Sequence, residues 1–324
     1  MKILVTGGAG FMGSSFIRHM MKAHPDFQIV CLDKLTYASD LSSLSEVWDS
    51  DGFRFIKGDI SDRGFVFDLF AEESFDAVVN FAAETHVDNS IKDSGPFFTS
   101  NILGTASLLD AVNAFHVRRF HQISTDEVYG DLPIGSRESF NENSPLSPSN
   151  PYSASKASAD MIALSYSRTY GTPVTISRSV NNYGTFQNAE KLIPLSITRA
   201  FNHQAVPVYA KGENVRSWIY VDDHSRAVES ILLKGRVGEV YNISSGFEIS
   251  NIEIVRYIIA KMGRSGDLIT FVPDRPGHDR RYSLDNNKIV NELSLSSFVP
   301  FFKALDQTID WYLRRLEDGR NCIL

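Results

Sequence analysis

The expected fold is decided by the N-terminal run Lys2-Ile3-Leu4-Val5-Thr6-Gly7-Gly8-Ala9-Gly10-Phe11-Met12-Gly13. Its aliphatic first part predicts a buried strand, and its glycines form the pattern G-x-x-G-x-x-G ahead of an amphipathic segment. Glycines let the backbone approach a pyrophosphate, and the start of a helix offers unpaired N–H groups to an anion. Asp33 ends the next predicted strand, twenty residues after Gly13. This spacing predicts a dinucleotide-binding βαβ unit.

The first half of the chain alternates short apolar runs with helix-length segments. We expect strands at Lys2–Thr6, Gln28–Asp33, Phe53–Lys57, Asp76–Phe81, Arg119–Thr125 and Pro173–Arg178, and helices at Gly10–Lys22, Asp62–Ala71, Pro96–Phe115 and Tyr152–Tyr170. Such alternation gives right-handed crossovers and a parallel sheet. Almost continuously apolar strands are typical of a sheet covered by helices on both faces. The predicted fold class is α/β, with a Rossmann-type, doubly wound parallel sheet.

After Arg178 this alternation ends, and we expect a smaller mixed α/β substrate-binding domain. Asn181-Asn182-Tyr183-Gly184 predicts the opening of a loop. Further helices are expected at Leu192–Phe201, Asp222–Leu233, Asn251–Met262 and Ala304–Leu316, and strands at Val206–Tyr209 and Ser217–Tyr220. The chain is therefore divided into a cofactor-binding domain, residues 1–178, and a mainly substrate-binding domain, residues 179–324. The two are interleaved, because parts of 217–245 are expected to join the first domain.

The composition is that of an ordinary globular protein and excludes several classes. Of 324 residues, 43% are hydrophobic and 22% are charged, and 39 acidic against 32 basic residues give a net charge of −7. This balance argues against a nucleic-acid partner, since binding the phosphate backbone requires a basic face. Cys31 and Cys322 are too few for a disulfide framework or a zinc site, and the eight histidines show no ligand spacing. We expect no metal.

The sequence also favours a cytoplasmic protein. The chain enters a strand and a glycine turn at once, so we expect no signal peptide. The longest stretch without a charged residue lies between Asp93 and Asp110, and it is too short and too polar to span a bilayer. We therefore expect no membrane partner.

A candidate catalytic pair lies at the start of the fourth predicted helix, in Tyr152-Ser153-Ala154-Ser155-Lys156. Positions i and i+4 share one helix face, so the ammonium group is expected beside the phenol. A neighbouring cation favours phenolate and lowers the pKa of a tyrosine, which makes it a base for an alcohol proton. Taken alone, the spacing occurs often by chance. The N-terminal glycine turn and a threonine at the end of the fifth strand strengthen it.

That threonine belongs to Ser124-Thr125-Asp126-Glu127-Val128-Tyr129-Gly130. Ligands of open α/β sheets bind at the carboxyl ends of strands, where this run lies. Together with Tyr152 and Lys156, it resembles the extended short-chain dehydrogenase/reductase family, and within it the nucleoside-diphosphoglucose 4,6-dehydratases. The resemblance extends over nearly the whole chain, through the blocks 33–37, 82–88, 181–184, 190–194, 216–224 and 274–282.

The resemblance implies an NAD-dependent hydro-lyase that converts dTDP-glucose, or a related nucleoside diphosphate hexose, into the 4-keto-6-deoxy sugar and water. Tyr152 would take the C4 hydroxyl proton while NAD takes hydride. Thr125 would bond the C4 oxygen, and Lys156 would hold the nicotinamide ribose. Glu127 would then act as base at C5 and Asp126 as acid at the C6 hydroxyl, because neighbouring carboxylates push their pKa values apart. Hydride return to C6 would regenerate NAD, so the cofactor can stay bound.

The glycine turn and the resemblance together imply two sets of binding residues. Those expected around the cofactor are Gly7, Gly10, Phe11, Met12, Gly13, Asp33, Lys34, Leu35, Thr36, Asp59, Ile60, Phe81, Ala82, Ala83, Thr85, Ser100, Tyr152, Lys156 and Asn182. Those expected around the substrate are Thr85, Thr125, Asn181, Glu190, Lys191, Leu192, Pro207, Val208, Tyr209, Arg216, Asn251, Arg275 and His278. Two arginines in the second set suit a diphosphate, because guanidinium groups pair with phosphate oxygens.

Some of these assignments have a plainer alternative. Asp33 would accept ribose hydroxyls and repel a 2′-phosphate, which favours NAD over NADP, although the cationic neighbour Lys34 weakens this preference. Asp59 either holds the adenine amino group or caps a helix. The charges of 274–275 and 279–281 either meet a diphosphate or form a surface ion-pair cluster.

The chain also departs from the family pattern around the substrate. Val180 stands where serine is usual, Asn89 where arginine is common and Ser217 where aspartate is common, and residues 185–189 replace a glycine–proline–tyrosine stretch. A pair of serines, 244–245, replaces two glycines. None of these changes touches the five catalytic candidates. They leave the nucleotide and the sugar open, with UDP-glucose and UDP-GlcNAc as alternatives.

Two other functions compete with dehydration. A related 4-epimerase or decarboxylase would share Tyr152 and Lys156, but epimerisation at C4 needs no acid–base pair such as Asp126 and Glu127. A non-catalytic NAD-sensing protein would have no need for an activated phenol. The resemblance further implies a homodimer, formed through the helices near Pro96–Phe115 and Tyr152–Tyr170.

Overall fold

The strand–helix alternation of the first half folds into a seven-stranded parallel sheet. The computed structural model describes residues 1–274 and 276–319. Its strands are β1 Lys2–Thr6, β2 Gln28–Asp33, β3 Phe53–Lys57, β4 Ala77–Asn80, β5 Phe120–Thr125, β6 Val174–Ser179, β7 Asn181–Tyr183, β8 Val206–Tyr209, β9 Val215–Tyr220, β10 Val240–Ile243, β11 Glu248–Ser250 and β12 Ile269–Val272. The large sheet has the order β10-β6-β5-β4-β1-β2-β3, and all neighbouring pairs are parallel. The predicted Rossmann-type fold is confirmed.

Helices cover both faces of this sheet and build the smaller lobe. They are α1 Phe11–Ala23, α2 Arg63–Glu72, α3 Val87–Lys92, α4 Gly95–Phe97, α5 Thr105–Ala114, α6 Pro151–Tyr170, α7 Leu192–Phe201, α8 Val221–Lys234, α9 Asn251–Lys261, α10 Asn287–Leu293 and α11 Phe301–Glu317. Side chains alternate across β1, so Ile3 packs in one core with Phe16 of α1, and Leu4 packs in the opposite core with Leu108 of α5. Burial on both faces explains why these strands are apolar throughout.

The helix predicted at Pro96–Phe115 changes its winding along its length. After α4 the chain forms a π-helical segment, Phe98–Gly104, and then continues as α5. Asn101 of this segment accepts a 2.9 Å hydrogen bond from the Glu84 backbone N–H and donates one of 2.8 Å to the Ser155 hydroxyl. The wider turn therefore joins the loop after β4 to α6.

The second half supplies a smaller lobe with two short sheets. One has the order β11-β9-β7, and the other pairs β12 with β8. The loop predicted at Asn181–Gly184 is wrong for its first three residues, which form β7 parallel to β9. Helices α7, α9 and α11 pack on these sheets around buried Ile193, Ile254 and Leu305. β10, which comes late in the chain, closes one edge of the large sheet.

The strand order fixes where a ligand can bind. β1 lies between β4 and β2, so the turn after β1, the loop after β4 and the end of β5 share one edge of the sheet. This is the point at which the strand order reverses, and open α/β sheets bind their ligands there. The part of the smaller lobe formed by residues 181–220 faces the same edge. In the described parts of the chain, none of the helices has both the length and the apolar character needed to cross a membrane.

Candidate active site

A cavity of about 360 Å³ lies at this edge between the large sheet and the smaller lobe. Its walls include the glycine turn, the ends of β2, β4, β5 and β6, the start of α6 and the segment 187–193. All five catalytic candidates line it: Thr125, Asp126, Glu127, Tyr152 and Lys156. Parts of the chain that are far apart in sequence are thereby brought into one site.

The glycine turn is closely packed and cannot carry side chains at two positions. Gly7 has a φ of +65°, and a Cβ there would lie 2.6 Å from the backbone nitrogen of Ala82. A Cβ on Gly13 would lie 2.3 Å from the carbonyl oxygen of Gly7. The backbone therefore comes directly to the cavity wall, and α1 begins after Gly10 without a side-chain cap. Its first N–H groups remain available to an anion.

Asp33 organises the turn as well as lining the cavity. Its carboxylate accepts hydrogen bonds from the backbone N–H groups of Ala9, at 3.0 Å, and Leu35, at 2.8 Å. The Ser39 hydroxyl donates a third at 2.8 Å. The side chain is 7% exposed. An acceptor held this firmly beside the glycine turn suits the hydroxyl groups of a ribose.

Lys34 and Asp59 form an ion pair at 2.6 Å on the rim of the cavity. Burial alone would raise the pKa of Asp59, but the hydrogen bonds from Lys34 and Ser61 hold it below its usual value. The alternative reading of Asp59 as a helix cap is wrong, because Asp62 caps α2 by accepting from the Phe65 backbone N–H. Lys34 is thus partly neutralised, so its charge does little to offset the preference that Asp33 sets.

The end of β5 turns into a short 3₁₀-helix, Asp126–Tyr129, which carries the two predicted acids. Asp126 is 1% exposed, and the Thr125 hydroxyl donates to its carboxyl group at 3.2 Å. Burial, followed by the charge of Glu127, raises the pKa of Asp126 to about 8, against an opposing effect of Arg216. A carboxyl group with this pKa holds its proton at neutral pH, as a general acid requires.

The tyrosine–lysine pair is buried, but its electrostatics differ from the expectation. Lys156 donates a 2.6 Å hydrogen bond to the backbone carbonyl of Ile123, and burial lowers its pKa to about 8. The pKa of Tyr152 is raised, first by burial and then by the charge of Glu127, although a hydrogen bond with Thr125 acts to lower it. The prediction from the spacing, a lowered pKa for Tyr152, is therefore wrong for the protein without bound cofactor. Among the neighbouring groups, the charge of Glu127 opposes phenolate formation most strongly.

A buried network beneath the site was not predicted from the sequence. Asp160 of α6 pairs with Arg178 of β6 at 2.8 Å, and both side chains are at most 4% exposed. Arg178 also donates to the Tyr129 hydroxyl at 2.9 Å, and that hydroxyl donates to Asn242 at 2.8 Å. The network joins α6, which carries Tyr152, to the turn that carries the acids.

Nearly all of the predicted cofactor residues line the cavity. Leu35 lies outside the described lining, with a φ of +60° in the loop after β2. The predicted substrate residues that line the cavity are Thr85, Thr125, Asn181, Glu190, Lys191 and Leu192. Glu190 lies 3.3 Å from the Lys191 ammonium group and 3.6 Å from His86. Lining residues that sequence reasoning missed include Ser124, Gln187, Asn188 and Trp218. Ser124 and Trp218 lie in stretches that carry the family resemblance, and Gln187 and Asn188 lie in the stretch 185–189 that departs from it, but none of the four was predicted as a site residue.

The other predicted substrate residues lie apart from the described cavity lining: Pro207, Val208, Tyr209, Arg216, Asn251 and His278. The Tyr209 hydroxyl donates to Asp88 at 2.9 Å, and its ring meets His278 edge-on at 5.9 Å. Arg216 is buried over the Tyr282 ring and donates to the Asp279 carbonyl at 2.8 Å. Arg275 lies outside the described residues.

Of the neighbouring charges 279–281, the two arginines follow the ion-pair alternative, whereas Asp279 is hydrogen-bonded to hydroxyl groups. Arg280 pairs with Asp131, and Arg281 pairs with Glu248 at 2.7 Å. The Asp279 carboxylate accepts from the Ser149 hydroxyl at 2.6 Å. Within residues 1–274 and 276–319, no group of three or more His, Cys, Asp and Glu side chains could hold a metal ion.

Comparison with known proteins agrees with this geometry. A family model described as GDP-mannose 4,6 dehydratase matches residues 4–308. The chain belongs to this dehydratase family. A dTDP-glucose 4,6-dehydratase of Streptomyces niveus is 46% identical over 316 residues, which cover 96% of this chain and 93% of that protein. A low-salt glycan biosynthesis protein of Haloferax volcanii is 48% identical, with 97% and 99% covered.

A solved dehydratase has the same fold. The dTDP-glucose 4,6-dehydratase of Streptomyces venezuelae, solved with NAD and dTDP bound, superposes with a TM-score of 0.94 at 42% identity, covering 98% of each chain. The dehydratase family lies within the extended short-chain dehydrogenases/reductases, so the predicted family is confirmed.

Proposed function

We propose that this chain is an NAD-dependent nucleotide-sugar 4,6-dehydratase, with dTDP-glucose as its first candidate substrate. The observation that carries the proposal is the adjacent pair Asp126 and Glu127 beside Tyr152 in one cavity. Oxidation and reduction at C4 alone need only the tyrosine. Removal of water between C5 and C6 also needs an acid and a base, and the pair at the end of β5 supplies both.

The residues present fit a dinucleotide cofactor. The glycine turn leaves no room for side chains where a pyrophosphate would approach, and Asp33 offers a fixed acceptor beside it. Bound oxidised NAD would favour the phenolate of Tyr152 by its positive charge, and it would accept from C4 the hydrogen that is later returned to C6. Lys156, held by Ile123, lies where it can hold the nicotinamide ribose.

The oxidation step uses Tyr152 and Thr125. Tyr152 takes the proton of the C4 hydroxyl, and Thr125 hydrogen-bonds the C4 oxygen and steadies the phenol. Both side chains are less than one-tenth exposed, so bulk water does not compete for the proton. The resulting C4 ketone acidifies the hydrogen on C5.

The elimination step uses the two acids. Glu127 takes the C5 proton as the C6 carbon–oxygen bond breaks, and Asp126 gives its proton to the departing hydroxyl, which leaves as water. The raised pKa of Asp126 keeps that proton in place at neutral pH. Glu127 later returns a proton to C5 when C6 is reduced. Neighbouring carboxyl groups in different protonation states are what this division requires.

The ammonium group of Lys191 and the backbone N–H groups at the start of α1 are proposed to meet the phosphates of the substrate and the cofactor. The protein as a whole has a net charge of −7, so it does not attract anionic ligands by its overall charge. The attraction must come from positive groups and N–H groups within the cavity. Arg216 acts on Asp126 rather than on the ligand. Its positive charge acts to lower the pKa of Asp126, while its guanidinium group is bonded to backbone carbonyls.

The test is incubation of the purified protein and NAD with dTDP-glucose, UDP-glucose, UDP-GlcNAc and GDP-mannose. We expect mass spectra to show loss of one water from at least one sugar, with dTDP-glucose reacting fastest. Tyr152→Phe serves as the matched control, because it keeps the ring and removes the base. Unchanged masses throughout, with a folded and NAD-loaded protein, would refute the dehydratase proposal.

We also infer a homodimer in the cytoplasm. Phe98, Leu103 and Met161 are 43%, 59% and 56% exposed, and they lie on the packed helical stretches 95–114 and 151–170. An apolar face of this kind is typical of a protein interface. Leu103→Glu is expected to yield monomers in light scattering.

The cytoplasmic location rests on the nature of the proposed ligands and on the free thiol of Cys31.

A further inference from the structure

Phe186 is held in an unfavourable backbone conformation by contacts from two distant helices. Its φ is +64°, in the left-handed region that bulky residues avoid unless their surroundings fix them. The ring lies 4.8 Å from the guanidinium carbon of Arg18 on α1 and 5.3 Å from that of Arg315 on α11. It also packs on Trp311 at 4.7 Å. We call residues 184–190, which carry this ring, the strap.

The residue after Phe186 is fixed by further hydrogen bonds. The Tyr312 hydroxyl donates to the backbone carbonyl of Gln187. The Gln187 side-chain amide donates to the Asn182 carbonyl at 2.9 Å. The strap is thus joined to α11 on its outer side and to the end of β7 on its inner side.

The strap lies across the cofactor end of the cavity. Gln187, Asn188 and Glu190 line the same cavity as the glycine turn and the loop after β2. Where the strap meets that loop, a cleft of only about 30 Å³ remains, lined by Ser39, Phe186 and Trp311 among others. This is about the space of one or two water molecules. The strap and the loop after β2 therefore lie close together on this side of the cavity.

We propose that Phe186 is a positioning residue that locks the strap over the bound dinucleotide and retains it between turnovers. This inference rests on the proposed function, in which the cofactor is regenerated in each cycle and has no need to leave. Arg18 lies on the helix whose first turn faces the pyrophosphate, so the lock joins the strap to the cofactor-binding element itself. The strap also contains residues 185–189, where this chain departs from the family pattern.

The test is the rate at which bound NAD is lost. Protein loaded with NAD is freed of excess nucleotide by gel filtration, and the NAD that stays bound is measured over time after denaturing samples. Phe186→Ala removes the ring contacts and is expected to release NAD about tenfold faster, as the loss of one aromatic pair and two cation–π contacts implies. Phe302→Ala, on the exposed side of the same helix α11, is the control and should leave the release rate unchanged.

A second variant guards against misfolding of the first. Arg315→Met removes one cation–π partner and keeps the backbone, and we expect a smaller acceleration, of about two- to fivefold. Unchanged NAD release in both variants, with wild-type thermal melting, would overturn the inference. Wild-type protein that fails to bind NAD would instead contradict the proposed function, so the two failures are distinguishable.

Discussion

The ammonium group of Lys156 donates a 2.6 Å hydrogen bond to the backbone carbonyl of Ile123, two residues before Thr125. The bond ties α6 to the end of β5, so the helix that carries Tyr152 is fixed relative to the strand that carries the acids. The lysine thus has a positioning function that is independent of its effect on the tyrosine pKa.

Lys156→Met should therefore lower kcat by about a hundredfold or more, because both the alignment of Tyr152 and the nearby positive charge are lost. Steady-state kinetics with the best sugar of the panel would measure this. Ser158→Ala, which removes only a 2.8 Å bond within the same helix, is a matched control and should remain active. A kcat for Lys156→Met within a few-fold of wild type would contradict the assigned role.

The raised pKa of Asp126 predicts a loss of activity in alkaline solution. Asp126 must hold a proton to release water, and its pKa of about 8 means that this form is lost as the pH rises through about 8. A pH profile of kcat should show this fall. Asp126→Asn cannot donate the proton, so it should slow water loss by about a hundredfold. Oxidation at C4 and exchange of the C5 hydrogen with solvent should continue, because these steps do not use Asp126. An Asp126→Asn profile with an unchanged alkaline limb would show that another group titrates.

Much of the site was predictable because its motifs are local. The glycine turn needs only a strand, three glycines and a helix in sequence, and Tyr152 and Lys156 need only one helix face. The direction of the Tyr152 pKa was not predictable in this way. It depends on how deeply α6 is buried and on the carboxyl groups of a different strand, and the sequence spacing contains neither.

Elements fixed by distant contacts were also missed. β7 has three residues with polar side chains, too short a run to stand out from a loop, and it is a strand only because β9 lies beside it. Arg178 and Asp160 are ordinary charges in the sequence, yet they form a buried pair. Phe186 contacts Arg18 on α1, 168 positions before it in the sequence, and Arg315 on α11, 129 positions after it.

Breaking the buried pair should cost substantial stability. Arg178→Met leaves the Asp160 carboxylate buried without its partner, and we expect the free energy of unfolding to fall by about 3–5 kcal/mol. Urea denaturation followed by circular dichroism would measure it. The double variant Arg178→Met with Asp160→Leu should recover part of the loss, since it removes both charges. A single variant as stable as wild type would show that the pair is of no consequence.

Two buried histidines predict instability in acid. Burial lowers the pKa of His121 and of His224 from 6.5 to about 3, and the charges of His224 and Arg119 further disfavour protonation of His121. The unfolded chain therefore binds protons that the folded chain does not. The stability that the neutral rings provide is complete above about pH 6.5 and is lost progressively as the pH falls towards 3.

The loss amounts to about 1.4 kcal/mol per pH unit for each histidine across that window. His224→Phe should make the melting temperature less dependent on pH between about 6 and 4, whereas His203→Gln, at an exposed position, should not. If the melting temperatures of wild type and His224→Phe change by the same amount with pH, the assignment is refuted.

The segment 123–127 divides several tasks among neighbouring residues: the Ile123 carbonyl holds Lys156, Thr125 contacts Tyr152, and Asp126 and Glu127, at the start of the 3₁₀-helix, are the acids. Because these groups lie on one short stretch of chain, an insertion between Ile123 and Glu127 would displace the acids relative to Lys156 and Tyr152, whereas an insertion in a loop outside this stretch would leave their spacing unchanged.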